Sequence, residues 1–237
     1  MKLTLAGSAY AREIREALNR ISGATLGFRA NPVGRSLHLA VLPLFAVRWL
    51  IPRLPRFLAA HPDITINLAM RLAPFDFRLE AFDAAVHFGP QEWSGAHLDF
   101  LMHETVVPLC SSAMKERLCF SCPADLVHAP LLHLVSRPDA WERWFAAMGI
   151  DPNEVHGPLF DQFALIAEAA RRDLGVALLP EFLAGPEMES GRLVKALNAP
   201  LQSSEAYYLA WPHTHEQYEP LELFRVWIGE EMAATAK

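Results

Sequence analysis

The chain is poor in the residues that several common chemistries require. Its 237 residues include three cysteines, Cys110, Cys119 and Cys122, an odd number and too few for a disulfide framework in a chain this size. No uncharged apolar run reaches the roughly 18 residues that a membrane span needs, and Arg48 interrupts the longest candidate. At the amino terminus only Leu3 to Ala6 separate Lys2 from the first glycine, where an export signal needs an apolar stretch of about 7 to 15 residues. Both absences lead us to expect a cytoplasmic protein with no membrane partner. A basic excess is missing as well. The net charge of -6 offers no footprint for nucleic acid over the chain as a whole, so any DNA contact must come from elsewhere. Glycine never forms a phosphate-cradling loop, and neither a nucleophile elbow nor a zinc-protease helix occurs. We therefore expect no catalytic residues, no metal and no cofactor, and a binding protein rather than an enzyme.

Two short clusters stay open to more than one reading. Cys119-Phe-Ser-Cys122 has the spacing of a redox or zinc motif but no second pair, and Pro123 and its polar neighbours fit a loop. His213-Thr-His215-Glu216 contains metal-ligating residue types but reads first as a polar loop before the last helix.

What is present is apolar and periodic. A hydrophobic share of 52% against 20% charged residues supplies one large core or two lobes. Between Gly7 and Phe28, residues Ala11, Ile14, Leu18, Ile21, Thr25 and Phe28 recur at spacings of three and four on an otherwise charged helix. That seam asks for a partner, either its own domain or a second subunit, and Gly23 and Gly27 weaken it as a free-standing coil. The stretch from Ala30 to Ser36 reads as a helix stop and linker.

Beyond the linker, strand-like runs alternate with helical patterns, as expected for a parallel α/β sheet. The runs are Leu37 to Leu42, Ile64 to Met70, Ala84 to Phe88 and Thr105 to Leu109, then residues 131–135, 155–160 and 175–180, and finally Ala206 to Trp211. Pro43 ends the first strand, and Pro52 and Pro55 fit the opening turns of a helix running to Ala60, where a missing N–H costs little. Helices are expected over Asp139 to Met148, Gln162 to Arg172 and after Pro220. In such sheets ligands bind beyond the carboxyl ends of strands, at helix N-termini. Two ends qualify: Leu44 to Ala46, and Asp161-Gln162-Phe163 with Asp161 as N-cap. Asp76 either meets a ligand ammonium or caps a turn. Tyr207 is either a core aromatic or a pocket wall.

The segments LHLAVLPLFAVRWLIPRLPRFLAAHPDITINL, DFRLEAFDAAVHFG, VPLCSSA and FDQFALIAEAARRDLGVALLP closely resemble the effector-binding domain of LysR-type transcriptional regulators, in the subgroup of the glycine-cleavage activator and the β-lactamase regulator. The resemblance implies an α/β, two-lobed fold like the type II periplasmic binding proteins, with an N-terminal linker helix. Residues 1–35 correspond to that dimerisation helix and 36–237 to the effector domain, with one lobe at about 36–108 and 207–237 and the other at about 109–206. Two crossover strands would join the lobes near Val106 to Cys110 and Ser203 to Tyr207.

The resemblance also implies a small-molecule effector, a homodimer or tetramer, and contact with DNA only through a winged helix-turn-helix that this chain does not contain. Carried over position by position, the ligand cleft includes Leu44 and Phe45, Asp76 with Phe77, Gln162 and Phe163, and Tyr207. Relatives commonly have serine or threonine at Leu44 and arginine at His87. The expected ligand is amino-acid-like, a peptide or a carboxylate, with Asp76 for an ammonium and a helix N-terminus for a carboxylate. The alternative is a solute-binding protein of a transport system, which uses the same kind of fold.

Overall fold

A single helix, α1 (Leu5–Ala30), opens the computed structural model, which describes residues 4–30, 35–151 and 155–235. Its seam is solvent-facing: Ile14, Leu18 and Ile21 are 41%, 57% and 62% exposed. The described part of the seam therefore finds no cover within its own chain. The Phe28 side chain and the linker residues 31–34 lie outside the described residues.

Strand β1 (Ser36–Val41) lies between β2 (Thr65–Met70) and β3 (Ala84–Gly89), all parallel. The prolines that follow β1 shape one helical run. Pro43 starts it at α2 (Pro43–Phe45), where its missing N–H would have had no acceptor. A π-helical segment (Ala46–Leu50) then leads without a break into α3 (Ile51–Ala60). Pro52 sits in the first turn of α3 and Pro55 just inside it, so the carbonyls of Arg48 and Ile51 lose their usual donors. The path adapts by widening: the Ile51 N–H donates to the Ala46 carbonyl. Arg53 Nη1 donates to the Trp49 carbonyl at 3.0 Å, with its guanidinium 4.7 Å over the Trp49 ring. The helical path thus begins earlier than the prolines alone suggest.

Two long strands, β4 (Ala96–Cys110) and β9 (Leu201–Pro212), run antiparallel through the middle of the molecule. Their register shifts at Phe100/Met102 and again at His103/Thr105, bends that turn a strand from one half of the sheet into the other. On the far side, β7 (Val176–Pro180) joins β4, and β5 (Leu131–Leu134) and β6 (Leu159–Phe160) continue in parallel, giving the order β2-β1-β3-β9-β4-β7-β5-β6. The short β8 (Val194–Lys195) also pairs with β4. Only the last two residues of the expected 155–160 strand are extended into the sheet. A Cβ at Gly157 would meet the Leu131 carbonyl at 1.7 Å, so the chain there lies directly against β5.

Three expected helices form: α5 (Ala140–Ala147), α6 (Phe163–Arg171) and α8 (Glu219–Thr235). Two others were not read from the pattern. In α4 (Ser112–Leu118), Ser111 Oγ caps the Met114 N–H at 3.0 Å; α7 (Glu181–Glu189) contains Gly185 and Pro186, which disguise it. Each half of the sheet has its own core. Phe45, Trp49, Phe57, Leu209 and Phe224 fill the first, while Trp141, Trp144 and Phe145 anchor the second.

Candidate ligand-binding site

A cavity of about 270 Å³ opens where the carboxyl ends of β1, β5 and β6 face one another. One wall is the start of α2. The first intrahelical bond there is Ala46 N–H to Leu42 O, which leaves the N–H groups of Leu44 and Phe45 without a helical acceptor. The opposite wall is the start of α6, where Leu165 and Ile166 are the first N–H groups to bond, both to the Gln162 carbonyl. Phe163 and Ala164 are the counterparts across the gap. Two positive helix ends thus converge on one space. The N-cap of α6 is Gln162, not Asp161, and no side chain closes the cap, so the end stays open to an incoming acceptor.

An ion pair forms part of the lining. Arg137, in the turn after β5, grips Glu104 of β4 with both Nη atoms, Nη2 to Oε1 at 2.9 Å and Nη1 to Oε2. Glu104 is fully buried and the Arg137 side chain is 10% exposed. Tyr207 of β9 donates its hydroxyl to Glu104 Oε1 at 2.8 Å. The guanidinium lies 3.9 Å from the Phe88 ring centroid and 4.7 Å from that of Phe163. Burial disfavours the Arg137 charge, but the Glu104 carboxylate outweighs it and holds the group above its ordinary value. For Tyr207, burial and then the same carboxylate push the phenol well up, so it remains a donor.

The aromatic wall continues from there. Phe45 stacks on Tyr207 at 5.7 Å and on Trp49 at 5.1 Å, and Phe182 meets Tyr207 edge-on at 5.3 Å. His87 stands at the edge of this space, buried, with no hydrogen-bond partner for Nε2 among the described residues. Burial holds its ring below the ordinary value, against a smaller opposing effect of the Pro90 backbone. The approach of Gly89 is close, since a Cβ there would come within 2.7 Å of His87 Nε2.

Five of the seven expected ligand residues therefore meet: Leu44, Phe45, Gln162, Phe163 and Tyr207 all line the cavity. Asp76 and Phe77 do not join them, and line a separate recess of about 770 Å³ beside Pro212 and His213. The cause is aromatic packing. Phe75 and Phe77 lock onto Trp93 at 5.2 and 5.3 Å, and Trp93 Nε1 donates to the Phe75 carbonyl at 2.9 Å. Hydrogen bonds from Arg78 then occupy the Asp76 carboxylate and hold it below its ordinary value. Arg137 and Glu104 were missed. A lone arginine just past an apolar strand is the signal that could have found Arg137, because such strand ends face ligands.

The two-lobed sheet, with a cavity between helix ends at the strand termini, is the architecture of a small-ligand-binding domain. The family profile described as LysR substrate binding domain matches residues 30–233. The glycine cleavage system transcriptional activator of Escherichia coli (strain K12) is 32% identical over 234 residues, 98% of this chain and 76% of that protein. The HTH-type transcriptional activator AmpR of Citrobacter koseri is 29% identical over 228 residues, 96% of this chain and 78% of that protein. Among solved structures, the effector domain of AmpR of Pseudomonas aeruginosa superposes with a TM-score of 0.78 at 30% identity, covering 85% of this chain and 97% of that one.

The chain belongs to the LysR family of transcriptional regulators. It is a domain for ligand-sensing control of transcription, and its relatives are regulators rather than enzymes. The comparisons lend no support to the transport alternative. No helix among the described residues is long and apolar enough to cross a membrane.

Proposed function

We propose that this domain binds a small metabolite carrying a carboxylate, amino-acid-like or peptide in character, in the cavity between its lobes, and that binding biases the arrangement of the DNA readers of the regulator. The observation that carries this reading is the pair of helix starts facing one space, with N–H groups of Leu44, Phe45, Phe163 and Ala164 unused by their helices. A ligand spanning both ends favours one spacing of the lobes, which is the differential affinity that a population shift requires. Leu44, Phe45, Gln162, Phe163 and Tyr207 are the contact residues. Asp76 and Phe77 belong to the site only if the Asp76 loop is drawn over the ligand.

The lobes are assigned to residues 36–108 with 207–237, and to 109–206. The exposed seam of α1 supports pairing with a second copy, and a winged helix-turn-helix beyond this chain is the element that reaches DNA. The protein works in the cytoplasm, where that DNA is.

A calorimetric screen of amino acids, short peptides and simple carboxylates tests the reading, with Ala164→Glu as the decisive variant. A glutamate in the first turn of α6 favours the helix and places its own carboxylate where the ligand's would go. Binding that disappears in Ala164→Glu supports the proposal. A carboxylate that binds the variant as tightly as the parent refutes it.

A further inference from the structure

We propose that His97, His213 and Glu216 form a binding site for a divalent late transition metal, of which Zn²⁺ is the best match. The site is apart from the ligand cavity and does not depend on it. One ligating atom from each of the three side chains lies within 4.8 Å of the others. His97 Nε2 is 3.1 Å from Glu216 Oε1, and the two imidazoles meet edge to face with centroids 4.1 Å apart. Four ligands around Zn²⁺ at about 2.0–2.2 Å stand roughly 3.3 Å from one another, so small rotations of the exposed His213 and Glu216 side chains close the set.

The fold creates this juxtaposition. His97, near the start of β4, pairs across the strands with Trp211 of β9. His213 follows two residues on, the diagonal neighbour on the same face. The chain then enters a 3₁₀ turn (His213–His215), which brings Glu216 back toward His97. His215 goes elsewhere and contacts Asp83 at 3.1 Å, so the turn sends its two histidines to different places.

Support behind the first ligand is rigid. The His97 ring packs on the Trp211 indole at 4.2 Å. Asp99 accepts from Trp211 Nε1 at 3.1 Å, and Arg225 lies 4.1 Å over the same indole while paired to Asp99. Neither ring nitrogen of His213 has a hydrogen-bond partner among the described residues, so an electron pair is available to a metal. Two imidazoles and one carboxylate are a ligand set that zinc takes with a fourth position open to water or an added ligand. Bound there, the metal ties the beginning of β4 to the turn after β9.

The test uses the purified chain, freed of any polyhistidine tag, titrated with Zn²⁺ by calorimetry and with Co²⁺ by visible absorption. The expected result is one Zn²⁺ per chain, a tetrahedral Co²⁺ spectrum and a melting rise of about 5 °C at 100 times the dissociation constant. His213→Ala and Glu216→Gln change exposed residues, and each should weaken binding at least about tenfold. A Cys119→Ser/Cys122→Ser variant should bind as the parent does. Stoichiometric binding that survives His213→Ala and vanishes in the cysteine variant overturns the assignment, as does the absence of any Zn²⁺ binding.

Discussion

Removing Arg137 should cost this domain more than any surface charge could. In Arg137→Met the Glu104 carboxylate stays in place, fully buried, with the Tyr207 hydroxyl its one remaining hydrogen-bond donor among the described residues. An uncompensated buried charge of this kind costs about 3–5 kcal/mol, set against a total stability on the order of 5–15 kcal/mol. For a chain of this size that is a fall in melting temperature of roughly 10 °C. The double variant Glu104→Leu/Arg137→Met removes both charges and should recover about 2 kcal/mol or more of the loss, because an ion pair replaced by apolar groups of similar volume is often neutral. Tyr207→Phe should cost about 1.5–3 kcal/mol in the parent, where its hydroxyl meets a charge, and should be neutral or stabilising in the double variant, where the buried hydroxyl has lost its acceptor. Urea unfolding of the parent and the five variants, Glu104→Leu alone among them, measures every term. If Arg137→Met costs less than about 1 kcal/mol, or the double variant loses the sum of its singles, the pair does not hold the halves together and the reasoning fails.

Acid should reveal a second buried carboxylate. Burial alone would raise Glu187, but Arg192 and Arg48 overcome it and hold the group below its ordinary value of 4.5. A depressed carboxylate stabilises the fold above its unfolded value and loses that contribution as pH falls through the folded one. Urea midpoints of Glu187→Gln should therefore fall less steeply than those of the parent below about pH 4.5, and parallel curves would count against the assignment. Gly89→Ala drives a Cβ into His87 Nε2 and should cost about 1–3 kcal/mol by overpacking. His87→Ala in the same chain should restore only part of it, because an L residue at the Gly89 backbone angle (φ 157°) stays strained whatever the space; no recovery at all would show that the His87 contact contributes nothing. Leu18→Glu puts a charge in the exposed seam of α1 and should shift sedimentation from dimer to monomer; an unchanged sedimentation coefficient rules out pairing through that face.

Much of the scaffold was legible because local sequence carries it. The apolar run of β1, Pro43 after it and the alternation of strand and helix patterns each follow from backbone chemistry within a few residues. So did the two helix starts at Leu44 and Phe163, since both are the first turns after short strands. Asp76 was harder to place. Its residue type suits an ammonium, but its position depends on Phe75 and Phe77 packing against Trp93, contacts that no spacing along the chain reveals.

By itself the sequence determined most of the elements, α4 and α7 excepted, together with the family and the helix ends where ligand chemistry is possible. Periodicity and proline placement act locally, so they survive in one dimension. Tertiary structure alone decided which side chains share a space. Arg137 meets Glu104 across 33 residues and Tyr207 meets it across 103, because the register of β4 against β9 sets Glu104 beside Tyr207 and the pairing of β5 on β7, itself paired with β4, carries Arg137 to them. His97 and Glu216 meet across 119 residues through the same β4 and β9 register. Strand register is set by the burial of whole faces, a cooperative choice that belongs to the folded sheet and to no single stretch of chain.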